Sequence, residues 1–223
     1  MNPPPILPTL EIETGPTPEA SIIWLHGLGA DGHDFEPIIP ELRLPASLSL
    51  RFIFPHAPVR PVTINGGYLM PAWYDIFEAN LRRRVDTRQL RDSANAVEQL
   101  IEREQQRGIP AERVILAGFS QGGAVVLDLA LRLEYTIGGL IALSTYLASE
   151  DVARHARAHR DLPIFVGHGT QDDIVSPQLG DESVALLKQA GFSPAYHRYA
   201  MGHSVCIQEC QDIGHWLTQS LDT

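Results

Sequence analysis

The sequence predicts an α/β fold, a mostly parallel central sheet with helices on both faces. Short apolar runs recur along the chain and alternate with longer segments whose apolar residues follow helical spacing. Those runs are apolar at nearly every position, as strands covered on both faces must be. With 223 residues, 44% of them hydrophobic, the chain can build one sizeable core, so residues 1–223 are read as a single domain.

In chain order, the N-terminal stretch NPPPILPTLEIETGPTPE is proline-rich and holds at most one short edge strand, because proline cannot donate to a central ladder. SIIWL (21–25) and RFIF (51–54) read as the first buried strands. The segment from Pro55 to Val85 then breaks the alternation, being too long and too rich in Pro and Gly for an ordinary connection. Its Tyr68, Leu69, Met70, Trp73, Tyr74 and Phe77 argue against disorder. The basic run Arg82, Arg83 and Arg84 reads as a solvated stretch partly balanced by Asp86. A helix follows in DTRQLRDSANAVEQLIEREQQRG. Asp86 and Gln89 resemble a capping box, Leu90, Ala94, Val97 and Ile101 share one face, and Gly108 ends the run. VILAGF (114–119) is a strand and QGGAVVLDLALRLE a helix; GLIALS (139–144) and PIFVGH (163–168) are further strands. The next helix has Ser176 as N-cap, Pro177 in its first turn and Gly191 as its stop. AYHRYA (195–200) is read as a last buried strand, and a helix containing DIGHWL closes the chain.

Charge and composition narrow the partners. A formal charge of −10 repels nucleic acid and anionic membranes, so a small or neutral ligand is expected, with no stable membrane association. No segment approaches the roughly 20 apolar residues of a spanning helix. Cys206 and Cys210 are the only cysteines, and the first twenty residues have neither a basic start nor a continuous apolar stretch. No disulfide framework and no signal peptide are expected, and the expected location is cytoplasmic.

The hexapeptide GFSQGG, from Gly118 to Gly123, sits where VILAGF gives way to a helix. A serine in so tight a turn is lifted above the sheet, while flanking glycines avoid clashes with neighbouring backbone. The new helix start directs amide groups towards an incoming oxyanion. A neutral hydroxyl is a poor nucleophile and requires a base, itself held by an acid, with chain order Ser, acid, His in this kind of site. PIFVGHGTQDD places Asp172 and Asp173 beyond a strand's carboxyl end, and spacing alone leaves both open. AYHRYAMGHSV places His203 beyond the next strand; His197 within it and His215 in the last helix read as packing or surface residues. His26 and His168 precede glycines in the wrong order for a base and read as loop braces. The oxyanion donors are expected to be the amides of Gln121 and of Leu28 in WLHGLGADG. His203, Cys206 and Cys210 also share helical spacing, but a metal there would consume the base, so neither a metal nor a cofactor is expected.

WLHGLGADG, FPHAPVRPVTINGG, MPAWYDI, GFSQGGAV, ALSTY, HGTQDDIV and MGHSV, in this order, resemble the small carboxylesterase and acyl-protein thioesterase family of α/β-hydrolases from about Ser21 to Leu217. The resemblance implies an α/β-hydrolase fold with no large cap domain. It implies Ser120 as nucleophile, His203 as base and Asp172, rather than Asp173, as the acid. It also implies that Leu69, Met70, Trp73 and Tyr74 shape an acyl pocket. The implied substrate is a small-molecule acyl ester or thioester. Eukaryotic thioesterases of the family can carry an N-terminal cysteine for their own lipidation, which the first twenty residues lack. The expectation is therefore a carboxylesterase for short to medium acyl esters, with acyl-protein thioesterase or lysophospholipase as the alternative and a non-catalytic acyl-binding protein as a further rival. Relatives often pair near the active site, so a homodimer is among the expected states.

Overall fold

The computed structural model describes residues 6–78 and 84–222. Its strands are β1 (Thr9–Glu13), β2 (Ala20–Leu25), β3 (Leu50–Pro55), β4 (Val59–Val62), β5 (Tyr68–Pro71), β6 (Ile76–Glu78), β7 (Arg84–Val85), β8 (Val114–Phe119), β9 (Gly139–Leu143), β10 (Ile164–Gly169) and β11 (Ala195–Tyr199). Its helices are α1 (Ile38–Glu41), α2 (Thr87–Gln106), α3 (Gln121–Arg132), α4 (Glu150–Arg154), α5 (Pro177–Gln189) and α6 (Ile207–Leu221).

Seven strands form the central sheet in the order β1-β3-β2-β8-β9-β10-β11. All neighbours run parallel except β1, which pairs antiparallel with β3 at the edge. That edge is the one strand the proline-rich N-terminal stretch was expected to yield. Alternation sorts the strand side chains. Ile23, Leu25, Ile53 and Leu116 face a core shared with α2, α3 and α5, whereas Ile22, Trp24, Phe52 and Phe54 face α1 and α6. Helices therefore cover both faces. At the other edge β11 departs from expectation: only Tyr199 is buried, because an edge strand lacks a neighbour on one side.

Local signals act where the sequence puts them. Asp86 caps α2 by accepting from the Gln89 N–H at 3.0 Å. The reciprocal half of the capping box is not made, because the Gln89 side-chain oxygen instead accepts from Arg60 and from the Asp75 N–H. Gly108 and Gly191 end α2 and α5 in the left-handed region, and Ser176 caps α5. The segment after Pro55 folds into two small antiparallel pairs, β4 with β5 and β6 with β7. Arg82 and Arg83 lie outside the described residues; Arg84 is exposed and pairs with Glu78 at 3.1 Å.

α3 sets the position of the site. Every residue from Gln121 to Leu131 is buried, since the helix lies between the sheet, α2 and the chain around α4. It begins directly at the carboxyl end of β8, the middle strand of the seven.

Candidate active site

Ser120 links β8 to α3 with φ 52° and ψ −117°, a conformation that a side-chain-bearing residue adopts only under constraint. The constraint is close packing. A Cβ on Gly118 would lie 2.5 Å from the Gly122 carbonyl, and one on Gly122 would lie 2.6 Å from the His26 carbonyl oxygen. Hydrogen bonds pin the turn on the other side: the Ser120 N–H donates to Leu143 O at 2.9 Å, and Thr145 Oγ1 donates to Ser120 O at 2.7 Å.

Three side chains meet above this turn. Ser120 Oγ lies 2.9 Å from His203 Nε2, and His203 Nδ1 lies 2.8 Å from Asp172 Oδ2. His203 comes from the loop between β11 and α6, Asp172 from the loop after β10, and the Phe119 ring lies 4.7 Å from the imidazole. The other Asp172 oxygen accepts from the N–H groups of Val175 at 2.8 Å and Ile174 at 3.0 Å. Burial raises the Asp172 carboxyl's pKa, but the hydrogen bonds from His203 and these amides outweigh it, and the net direction is downward. Asp173 is exposed and makes no such contact. With Nδ1 donating to Asp172, His203 Nε2 is left to accept from the serine hydroxyl.

The remaining histidines take structural places. His26 Nδ1 is 2.7 Å from Gly27 O and its Nε2 accepts from the Ala57 N–H, while burial holds its pKa down. His168 Nε2 lies 2.9 Å from Val175 O, bracing the loop that carries Asp172. His197 stacks on Phe165, and His215 is exposed on α6. Both ring nitrogens of His203 are engaged, leaving none for a metal, and Cys210 is buried with its thiol pushed up to about 11, chiefly by desolvation.

A cavity of about 470 Å³ opens over Ser120, His203 and Gln121, lined by Leu28, Ile64, Ile76, Phe119, Tyr146 and Ile174. The Gln121 amide is the first of α3 and has no acceptor within the helix, and Leu28 lies on the loop after β2. A larger cavity, about 670 Å³ between α2, α3 and α4, contains none of these residues.

The four residues expected to shape an acyl pocket are placed differently. Trp73 and Tyr74 are fully enclosed: the Trp73 indole donates to His26 O at 2.9 Å, and the Tyr74 hydroxyl meets Tyr146 at 2.9 Å. The Gln121 side chain ties this pair down, accepting from the Trp73 N–H and donating to Tyr74 O, both at 2.7 Å. Leu69 is 71% exposed on the β4–β5 hairpin, and Met70 is half-buried beside Asn65. None of the four lines the cavity; Ile64 and Ile76, from the same segment, do. Tyr146 lies within the quoted motif ALSTY, and Ile174 is a large apolar residue directly after two acids. Those were the available signals.

A strained serine at the end of a central parallel strand, within reach of a histidine and an acid from later strand ends, defines an α/β-hydrolase. The sequence profile described as Phospholipase/Carboxylesterase matches residues 8–221. Acyl-protein thioesterase 1 of Neurospora crassa is 36% identical over 99% of this chain and 92% of that protein. The protein of the same name from Yarrowia lipolytica is 34% identical over 97% and 99%. Among solved structures, Arabidopsis thaliana SOBER1 superimposes with a TM-score of 0.84 at 31% identity, covering 91% of this chain and 99% of that one. Zea mays acyl-protein thioesterase 2 gives 0.81 at 29% identity, covering 96% and 99%. The chain belongs to the phospholipase/carboxylesterase family of α/β-hydrolases, and it is a serine hydrolase of the ester-hydrolysing type.

Proposed function

We propose that the protein is an acyl thioesterase and esterase that works through Ser120, His203 and Asp172. The observation carrying this reading is the continuous chain from Ser120 Oγ to His203 at 2.9 Å and from His203 to Asp172 at 2.8 Å. Ser120 attacks the acyl carbonyl while His203 Nε2 takes its proton. His203 then protonates the departing thiolate or alkoxide, and Asp172 holds the ring and stabilises its charged form. Water repeats the sequence on the acyl-enzyme. The Leu28 and Gln121 amides receive the oxyanion, each contributing about 3 to 4 kcal/mol in comparable sites.

The thioesterase alternative is preferred to a plain carboxylesterase, because relatives at 36% and 34% identity bear the thioesterase name over nearly the whole chain. The apolar lining by Leu28, Ile64, Ile76 and Ile174 suits an acyl chain and a small-molecule acyl substrate. A binding-only role has no use for a serine held at φ 52°.

The test is hydrolysis of matched S-acyl thioesters and p-nitrophenyl esters of two to sixteen acyl carbons, by wild type and Ser120→Ala, with and without EDTA. Wild-type turnover that tolerates EDTA and falls by about 10⁶ in kcat in Ser120→Ala is expected. Retained activity in the variant overturns the mechanism, and an ester-only profile overturns the thioesterase reading.

A further inference from the structure

This inference rests on the reading of Ser120 proposed above and concerns which acyl compounds that site selects. Two carboxylates share the cavity with Ser120: Asp34, from the loop after β2, and Asp173, from the loop after β10. Both residues are exposed. Their neighbours are spoken for. Asp31 Oδ1 accepts from the His33 N–H at 2.8 Å, and Asp172 is enclosed and satisfied by His203, Ile174 and Val175. Among the described residues, neither Asp34 nor Asp173 has a side-chain hydrogen bond or an ion pair. Among the described residues, no lysine or arginine lines the cavity, and the other polar side chains there are Ser120, His203, Gln121, Asn65 and Tyr146.

A low-dielectric cleft carrying one sign of charge focuses its field on whatever enters. Among the described lining residues, Asp34 and Asp173 are the only carboxylates not already engaged by the triad. Ser120, Asp34 and Asp173 line one cavity of about 470 Å³, so a small ester or thioester with its carbonyl at Ser120 comes within the field of both carboxylates. We propose that this cavity selects acyl esters and thioesters whose alcohol or thiol portion carries a positive charge, and that it disfavours those in which that portion is anionic. Hydrolysis preserves the distinction. Ser120 Oγ bonds to the acyl carbon as the bond to the leaving oxygen or sulfur breaks, and the serine proton passes through His203 to that leaving atom; water's oxygen then bonds to the acyl carbon as the bond to Ser120 Oγ breaks, and a proton returns to the serine. The alcohol or thiol therefore departs with its cation intact, while the new carboxylate is repelled by the same pair of acids.

The experiment compares three octanoyl esters of similar size: choline, its uncharged carbon counterpart 3,3-dimethylbutanol, and anionic 2-sulfoethanol. Wild type, Ser120→Ala and Asp34→Asn/Asp173→Asn are assayed at low and high salt. In wild type, kcat/KM for the choline ester is expected to exceed that for the neutral ester by about tenfold at about 10 mM salt, with the anionic ester slowest. The ratio should shrink to about twofold at about 500 mM salt, where screening is strong. In the double variant the ratio should approach one. A choline-to-neutral ratio near one in wild type, or a ratio unchanged by the double substitution, overturns the proposal while leaving the Ser120 reading intact. Failure of wild type to hydrolyse the neutral ester, or equal hydrolysis by Ser120→Ala, overturns the Ser120 reading itself.

Discussion

Asp172 divides its oxygens between two tasks: Oδ2 holds His203, and Oδ1 accepts the two amides that fix its own loop. Asp172→Asn removes the charge that stabilises the imidazolium and, with its oxygen held by the Ile174 and Val175 amides, puts an NH₂ group where Nδ1–H requires an acceptor. We expect kcat to fall by about 10⁴; steady-state assays giving less than a tenfold loss would remove Asp172 from the mechanism. Gly122→Ala is expected to lose activity for a steric reason, since its Cβ would lie 2.6 Å from His26 O and push the loop after β2 away from α3. Retention of full kcat/KM would show that the loop yields. At this scale the sequence was unevenly legible. The positions of Ser120 and His203 follow from chain order and turn chemistry, because the ends of β8 and β11 fix where each residue can sit. Choosing Asp172 over Asp173 required the family resemblance. Trp73 and Tyr74 were misplaced, because an aromatic side chain lines a pocket or fills a core according to its tertiary partners. Here His26 O, Tyr146 and Gln121 draw both residues inward.

The strands and long helices of the sheet were readable within about two residues, since each carries its own periodicity, cap or stop. The segment after Pro55 was not. β4 to β7 are two to four residues long, too short for any pattern to rise above local composition, and they are held by contacts distant in sequence, such as the Gly29 N–H to Pro71 O at 2.9 Å. α1 and α4 escape for the same reason, at four and five residues. α2 makes an element-scale commitment that periodicity also hides. Glu104, fully buried, accepts from Ser21 Oγ at 2.6 Å, Arg51 Nη1 at 2.7 Å and Arg107 Nη1 at 2.9 Å, tying the helix to β2 and β3. Glu104→Ala leaves the Arg51 guanidinium enclosed without this partner and is expected to cost about 3 to 5 kcal/mol, read from urea unfolding midpoints. A change below about 1 kcal/mol would mean that Glu13, also paired with Arg51, carries the charge alone.

For the whole molecule, two carboxyls set opposing trends of stability with pH. Asp172 titrates below its ordinary value of 3.8 when folded, so its contribution is present above that pH and is lost as pH falls through the folded value. Glu209, on α6 against Gly167 of β10, is fully buried without a well-formed hydrogen bond, and desolvation, reinforced by Asp212, pushes it up to about 8 from 4.5. The folded protein keeps this proton over a range in which the unfolded chain releases it, so stability falls as pH rises from 4.5 to about 8. Glu209→Gln removes that slope; its melting midpoint should exceed that of wild type at pH 8 by more than at pH 5, and parallel curves would refute the assignment. A different consequence follows from the enclosure of α3. Beyond its first turn, whose Gln121 borders the open cavity, its amides have no local route to water, so their hydrogen–deuterium exchange should proceed only through global opening, while the β4–β5 hairpin exchanges early. The serine turn is thereby welded to the slowest-opening part of the molecule and its rim to the fastest, so substrate selectivity should soften on warming well before turnover is lost.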